Sequence, residues 1–180
     1  SAGKTYSKWG GFVTDADKFD ALFFNMAPVQ ATRTDPQLRL MLMTAWETLE
    51  NAGYTRANLC RDPGRRVGVF VGSMWSEYAL HAPEQTPTLA SDSSLANQIS
   101  YFFDFHGPSL VLDTACSSSL YAIALACDAI SRGQCEVALA GGVNLSLHPN
   151  KYIGLSQMGF LASDGRCRSF GEGGSGYVPG

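Results

Sequence analysis

The chain lacks the marks of several large classes of protein. Its 180 residues carry a net charge of -3 with a pI of about 5.5, so no basic excess indicates a nucleic acid or an anionic membrane as partner. The most apolar run, residues 120–127, ends at Asp128 and is far shorter than the roughly 18 residues of a membrane span. The opening residues contain no apolar core of the signal-peptide kind. These absences predict a cytoplasmic protein with no nucleic acid and no membrane among its partners.

Cysteine pairing is lacking as well. The cysteines are odd in number and form no CxxC pair, which indicates reduced thiols rather than a disulfide framework. The histidines stand in separate contexts without the spacing of metal ligands, so we expect no metal site. We interpret His106 as a turn residue and His81 and His148 as loop residues. The cysteines are Cys60, Cys116, Cys127, Cys135 and Cys167.

Apolar residues, by contrast, are plentiful. Hydrophobic residues make up 45% of the chain and charged residues 16%, which is enough for a substantial core. A chain of 180 residues suits one domain or a large part of one. It opens on a polar run and stops within the glycine-rich stretch GEGGSGYVPG, so we interpret it as part of a larger domain.

Helical and strand patterns alternate along the chain. Asp35 and Pro36 are typical of a helix start and Gly53 of a helix end, while Arg39 falls on the polar side of that helix. Short β-branched runs bounded by glycine predict buried strands. The alternation predicts an α/β domain whose strands are buried on both faces. The predicted order is a helix at 35–53, a strand at 66–72, a helix at 91–102, a strand at 109–115, a helix at 117–132 and a strand at 136–143.

Cys116 lies at the junction of a predicted strand and a predicted helix. A residue on such a sharp turn is exposed and is surrounded by backbone N–H groups of the first helical turn. The helix dipole favours the thiolate over the thiol, and the N–H groups can hold an oxyanion when the thiolate attacks a carbonyl. Ser117, Ser118 and Ser119 are small, which leaves the approach open and lets the helix start pack closely on the strands. Position alone leaves Cys116 as either a nucleophile or a packing residue, and we interpret the other four cysteines as packing residues.

The sequence around Cys116 resembles the active-site signature of β-ketoacyl synthases. The octapeptide DTACSSSL, residues 113–120, is similar to that signature in the ketosynthase domains of bacterial modular polyketide synthases. Residues 19–53 resemble the family's stretch that ends in a DPQ helix, and residues 156–170 resemble the segment before its glycine-rich turn. The resemblance covers essentially the whole chain. Its further motifs, in the family's order, are RVGVFVGS, NQISYFFDFHGPSLVLDTACSSSL and ALAGGVNL.

The resemblance implies a thiolase-like fold, in which two similar halves are built on an αβαβα layer plan. The family usually forms a tight homodimer. Residues 1–180 would then be a partial ketosynthase domain, namely its N-terminal half, with the opening strand and the C-terminal half absent.

The resemblance also implies a reaction. Cys116 would take an acyl chain as a thioester from the phosphopantetheine arm of an acyl carrier protein, and its own backbone N–H would be half of an oxyanion hole. A malonyl-type extender would then lose carbon dioxide, and its carbanion would attack the thioester in a decarboxylative Claisen condensation. The implied partners are acyl carrier protein domains and an acyltransferase domain, in cis or free-standing. No cofactor is expected to be bound.

The sequence departs from the family pattern in three respects. The two catalytic histidines of the family, in an HGT-type and a GH-type motif, have no counterpart here. Gly171 and Ser175 stand where the family has Asp, and Gln98 stands where Arg is more common. Two alternatives therefore stay open. One is a cysteine acyltransferase or thioester hydrolase that does not condense, and the other is a non-elongating acyl-binding or docking domain.

Overall fold

The computed structural model describes residues 3–60, 66–81 and 91–180. It divides into two compact units, a larger one formed by Asp17–Asn144 and a smaller one formed by Leu145–Gly180 with the N-terminal segment. None of the helices in these described ranges combines the length and the apolar character needed to cross a bilayer. The predicted sheet and Cys116 both belong to the larger unit.

Helices and strands alternate through the larger unit, as the sequence pattern predicts. Every strand in the described residues is preceded and followed by helix, which is the expected order for a parallel sheet. In chain order the elements are α1 Pro28–Arg33, α2 Pro36–Asn51, α3 Arg56–Cys60, β1 Val67–Gly72, a 3-10 helix Tyr78–His81, α4 Ser94–Phe103, β2 Ser109–Leu112, α5 Ser118–Ser131, β3 Val137–Gly142 and, in the smaller unit, α6 Pro149–Gln157.

Three strands of the larger unit form one parallel sheet in the order β2-β1-β3. Val69 pairs with Ser109 of β2 and with Leu139 of β3, so β1 is the central strand. All six residues of β1 are buried, whereas β2 is half-buried and β3 is half-buried to exposed. The prediction of burial on both faces is therefore confirmed for β1. It is confirmed only in part for β2 and β3, whose apolar side chains pack on both faces of the sheet but are only partly buried.

The two faces of the sheet carry different helices. Val67, Val69 and Val71 of β1 belong to a large core that also contains the apolar residues of α2 and α4. Phe70 alternates to the opposite face, where it packs in a smaller cluster beneath α5. The buried residues that the helix contributes to that cluster are all small, which allows it to lie close to the strands, and Leu125 packs partly buried against them. The buried helix residues are Ala122, Ala126 and Ala129.

Helix α2 begins and ends where the capping pattern predicts. An Asp35 carboxylate oxygen accepts the N–H of the residue two positions on at 2.8 Å, and Gly53 after the last turn has a φ of +75°. Arg39, which was predicted to face solvent, is instead buried, and its Nη1 donates to the carbonyl oxygen of Asp17 at 3.0 Å. That prediction is wrong because a chain segment remote in sequence covers this side of the helix.

Several predicted boundaries differ from those in the structure. Helix α4 begins three residues later than predicted and ends at Phe103, followed by the C-cap residue Asp104, whose φ is +60°. Strand β2 stops at Leu112 rather than at residue 115, and α5 begins at Ser118 rather than at residue 117. Helices α1, α3 and α6 and the 3-10 helix were not predicted. They have four to nine residues each, which is too short to display a helical period.

The smaller unit ties the N-terminal segment to the segment after α6. The Tyr6 hydroxyl donates to the carbonyl oxygen of Leu161 at 2.8 Å, and the Ser7 hydroxyl donates to that of Ala162 at 2.9 Å. His148 caps α6, because its Nδ1 accepts the Asn150 N–H at 3.2 Å. The interpretation of His148 as a loop residue therefore missed a capping role.

Candidate active site

Cys116 lies in a five-residue turn, residues 113–117, that joins β2 to α5. The sequence pattern placed it in direct contact with a strand and a helix. The structure instead separates it from the strand by three residues and from the helix by Ser117, which is the N-cap of α5. The thiol is exposed. The structure thus places Cys116 at a strand-to-helix turn, and its role as a nucleophile stays a prediction.

Two side chains hold the turn around Ala115, the residue directly before the cysteine. Asp113 Oδ1 accepts the N–H of Ala115 at 2.8 Å. The Ser118 hydroxyl donates to the carbonyl oxygen of Ala115 at 2.6 Å and accepts the N–H of Thr114 at 2.9 Å. Both peptide groups that flank Ala115 are therefore engaged by side chains.

Ala115 has a left-handed backbone conformation, with a φ of +56°. Such a conformation costs an alanine roughly 1–2 kcal/mol because its Cβ crowds the backbone. A residue keeps such a strained conformation only when surrounding interactions hold it there. The hydrogen bonds from Asp113 and Ser118 supply that restraint.

Glycines at the ends of two strands let α5 begin close to the sheet. A Cβ at Gly72, the last residue of β1, would lie 2.5 Å from the backbone carbon of Ser118. A Cβ at Gly142, the last residue of β3, would lie 2.8 Å from Cβ of Ser119. The predicted close packing of the helix start is confirmed. It depends on the strand glycines as well as on the small size of the serines.

Some backbone N–H groups near Cys116 are already engaged. The Ser117 N–H donates to the Thr114 carbonyl oxygen at 3.4 Å, and the Ser118 N–H donates to the Ala115 carbonyl oxygen at 3.1 Å. The expectation that the N–H groups of the first helical turn can hold an oxyanion is therefore wrong for these two, which already have acceptors. In the described part of the chain, no hydrogen bond engages the N–H of Cys116 itself. That N–H is consequently open to an acceptor that approaches the cysteine.

The other cysteines differ in their surroundings. Cys135 is buried beneath α5, which confirms its packing role, and burial raises the pKa of its thiol. Cys127 and Cys167 are exposed, so the packing interpretation is wrong for both. The sulfur of Cys167 accepts the Val178 N–H at 3.2 Å. The side chain of Cys60 lies outside the described residues.

The histidines belong to separate segments of the chain. His106 is exposed in the connection between α4 and β2, where its Nε2 lies 3.3 Å from Asp104 Oδ1, in agreement with a turn residue. His81 is the last residue of the 3-10 helix rather than a loop residue. Within the described ranges, no group of three or more His, Cys, Asp or Glu side chains is arranged to hold a metal ion.

The positions that depart from the family pattern take part in local structure. The Gly171 N–H donates to the carbonyl oxygen of Arg168 at 3.0 Å. The Ser175 hydroxyl lies 3.4 Å from the hydroxyl of Ser163. Gln98, on α4, lines an open cavity of about 700 Å³, and Cys116 is not part of its wall. None of these three residues carries a charge.

The arrangement of this sheet and this turn has counterparts among solved structures. The oxazolomycin ketosynthase domain OzmH KS7 of Streptomyces albus JA3453 matches with a TM-score of 0.94 at 55% identity, over 99% of this chain and 31% of that one. The ketosynthase from module 6 of the bacillaene synthase of Bacillus subtilis 168 matches with a TM-score of 0.89 at 37% identity, over 97% of this chain and 29% of that one. The chain therefore has the thiolase-like α/β fold of ketosynthase domains and corresponds mostly to the first of the two halves.

Sequence comparisons agree with the fold. The model of the family described as "Beta-ketoacyl synthase, N-terminal domain" matches residues 1–180. Polyketide synthase PksL of Bacillus subtilis (strain 168) is 57% identical over 188 residues, which cover 99% of this chain and 4% of the relative. Polyketide synthase ThaG of Burkholderia thailandensis is 56% identical over 184 residues, which cover 99% of this chain and 3% of the relative. The chain belongs to the β-ketoacyl synthase family, and it spans only a small share of the length of these relatives.

Proposed function

We propose that this chain supplies the nucleophile-bearing, N-terminal half of a polyketide ketosynthase domain, an acyltransferase of the β-ketoacyl synthase type. The observation that carries the proposal is the exposed thiol of Cys116 at the braced turn before α5. Membership of the β-ketoacyl synthase family supports it, as does the high identity to polyketide synthases.

In the first step, the Cys116 thiolate attacks the carbonyl carbon of an acyl thioester on the phosphopantetheine arm of an acyl carrier protein. A carbon–sulfur bond to Cys116 forms, the bond to pantetheine breaks, and the departing pantetheine sulfur takes up a proton. The Cys116 N–H supplies one donor to the oxyanion of the tetrahedral intermediate. Helix α5 begins two residues beyond Cys116, so the positive end of its dipole lies next to the turn where negative charge develops.

In the second step, a malonyl-type extender on a carrier protein loses carbon dioxide. The resulting carbanion attacks the carbonyl carbon of the Cys116 thioester, and the cysteine leaves as a thiolate. The enolate oxygen that develops during decarboxylation needs donors aimed at it. In the β-ketoacyl synthase family two histidines supply those donors, and no histidine of this chain stands in either of their motifs. The proposed condensation therefore requires polypeptide beyond residues 1–180.

The surface of α5 supports the proposal that further polypeptide covers this unit. Its outward side is apolar and exposed, and Leu120 has 71% of its surface accessible. Exposed apolar patches of this kind mark interaction surfaces in soluble proteins. We propose that the C-terminal half of the ketosynthase domain covers it. The other large exposed side chains of α5 are Tyr121, Ile123 and Ile130.

The proposed setting follows from the family. The partners are acyl carrier protein domains and an acyltransferase domain, either in cis or free-standing, and the assembly is a cytoplasmic homodimer. The proposed pathway is polyketide biosynthesis, of which many products are antibiotics. The substrates arrive on phosphopantetheine and no cofactor is resident.

Intact-protein mass spectrometry tests the nucleophile. The complete natural polypeptide that carries this sequence is incubated with an acyl-pantetheine thioester, and the gain of one acyl mass is followed. Cys116→Ala should abolish the gain, whereas Cys127→Ala, which removes another exposed thiol, should leave it intact. A Cys116→Ala protein that still gains the acyl mass would show that the nucleophile is elsewhere.

Carbon dioxide release from a malonyl carrier protein tests the condensation. The complete polypeptide should release carbon dioxide once Cys116 is acylated, and residues 1–180 alone should not. Acylation without release would indicate the non-elongating alternative, and steady loss of the acyl group to water would indicate the hydrolase. Release by residues 1–180 at the rate of the complete polypeptide would contradict the proposed division of the catalytic groups.

A further inference from the structure

The turn that carries Cys116 is held by side chains that bond to its backbone and not to the thiol. Ala115 precedes the cysteine and has a φ of +56°, a conformation that alanine adopts at a cost. Its N–H is bound by Asp113 at 2.8 Å and its carbonyl oxygen by the Ser118 hydroxyl at 2.6 Å. The peptide that links Ala115 to Cys116 is therefore fixed on the carbonyl side by Ser118.

We propose that Asp113 and Ser118 are positioning residues that set the place of the Cys116 thiol by holding Ala115 in its left-handed conformation. The inference rests on the proposed function of Cys116 and adds to it the source of the cysteine's orientation. Neither side chain bonds to the thiol, so each acts through the backbone of Ala115.

The two residues belong to different parts of the structure, because Asp113 is the first residue of the turn and Ser118 is the first residue of α5. Asp113 is exposed and follows β2, so its bond to Ala115 is a local contact between residues two apart. Ser118 is buried at the first position of α5, where it also lies against Gly72 of β1. Ser118 therefore links the turn to the packed helix and sheet, while Asp113 bonds to the turn on its solvent-exposed side.

A series of substitutions in the complete polypeptide separates the hydrogen bonds from the charge of Asp113. Asp113→Ala removes both the acceptor and the charge, whereas Asp113→Asn removes only the charge and keeps an oxygen for the Ala115 N–H. Ser118→Ala removes the hydroxyl with no added volume. Ser119→Ala is the matched control, since the next serine along α5 is exposed and makes no side-chain hydrogen bond in the described residues.

We expect Asp113→Ala and Ser118→Ala to lower the maximal rate of acylation by about 10- to 100-fold, since a displacement near 1 Å has effects of that size. The thioester concentration at half-maximal rate should not change, because neither residue is proposed to bind substrate. Asp113→Asn and Ser119→Ala should acylate nearly as fast as the unmodified protein. A purely structural role would lower the folded fraction without changing the rate per folded molecule.

Alkylation of Cys116 by iodoacetamide gives a second readout that does not depend on acyl transfer. We expect it to slow in Asp113→Ala and Ser118→Ala, because the thiolate loses its place at the start of α5. If Cys116→Ala still gains an acyl group, the proposed function fails, and the alkylation rates alone decide whether the turn is positioned. Rates of acylation and alkylation equal to those of Ser119→Ala in both variants would overturn the positioning role, as would an Asp113→Asn variant as slow as Asp113→Ala.

Discussion

Replacing Gly72 by alanine should displace the start of α5 and with it the turn that carries Cys116. A Cβ at this position would lie 2.5 Å from the backbone carbon of Ser118 and 2.6 Å from the backbone nitrogen of Ser119. No rotation of a side chain can relieve an overlap with backbone atoms. Ordinary contact begins at 3.4 Å, so the helix and strand must separate by about 0.9 Å, the difference between 3.4 Å and 2.5 Å.

This separation should affect both stability and rate. Overpacking of a close interface typically costs about 1–3 kcal/mol, so we expect a loss of that size in the free energy of unfolding. A shift near 1 Å in the turn that carries the nucleophile should slow acylation by about 100-fold. Most molecules of the variant should remain folded, so the loss of acylation rate should come mainly from the displaced turn and not from unfolding.

Two quantities are measured. Mass spectrometry gives the rate of acylation per folded molecule, and unfolding in urea gives the free energy of unfolding. Gly141→Ala is the control, since Gly141 lies in the adjoining strand β3 and a Cβ there meets nothing within 4 Å. It should retain both rate and stability. If Gly72→Ala acylates as fast as Gly141→Ala and is equally stable, then the close approach of α5 to the sheet does not position the turn.

Three further predictions concern the core, the cap of α2 and the thiols. Trp46→Ala should lower the free energy of unfolding by about 3 kcal/mol, the low end for such a change, because Trp46 is half-buried and its ring stacks on Phe103 at 5.9 Å. A loss below about 1 kcal/mol in urea unfolding would show that this contact is loose. Burial raises the pKa of the Asp35 carboxyl group above its value of about 3.9 in the unfolded chain. The ionised carboxylate therefore lowers the free energy of unfolding in full once the pH exceeds the raised pKa, and it has no such effect below about pH 3.9. Asp35→Asn keeps the oxygen that caps α2, so it should raise the urea concentration at the unfolding midpoint at neutral pH but not at a pH below about 3.9. A lower midpoint at neutral pH would contradict this. Iodoacetamide should label Cys116 first and leave Cys135 unlabelled in the native protein, because burial raises the pKa of Cys135, and peptide mapping that finds Cys135 labelled early would refute it.

The predictions that proved accurate rest on interactions between near neighbours. The helix that follows Asp35 was located correctly because its cap is formed two residues away and Gly53 ends it locally. Strand β1 was located to within one residue because burial on both faces leaves a continuous apolar run. Arg39 was misplaced for the opposite reason, since its partner Asp17 belongs to a segment that no helical pattern reveals.

The position of Cys116 was likewise predictable where it depends on near neighbours and not where it depends on the folded structure. Its neighbours in DTACSSSL identify a turn, a thiol and a family, and all three are properties of a contiguous stretch. The predicted strand ran three residues too long because Asp113, Thr114 and Ala115 carry no signal that pairing stops at Leu112. The left-handed conformation of Ala115 had no signal either, because alanine is not a residue that favours it.

By itself, the sequence determined the alternation of helices and strands, the bounds of α2, and the placement of one cysteine at a strand-to-helix turn, because each depends on residues a few positions apart. The tertiary structure alone decided how that turn is held. Gly72 and Ser118 meet only after β1 and α5 have packed, and the absence of a side chain at Gly72 leaves the room in which Ser118 can brace Ala115. Packing of this kind is set by distances between chain segments remote in sequence, which is why no local pattern reveals it.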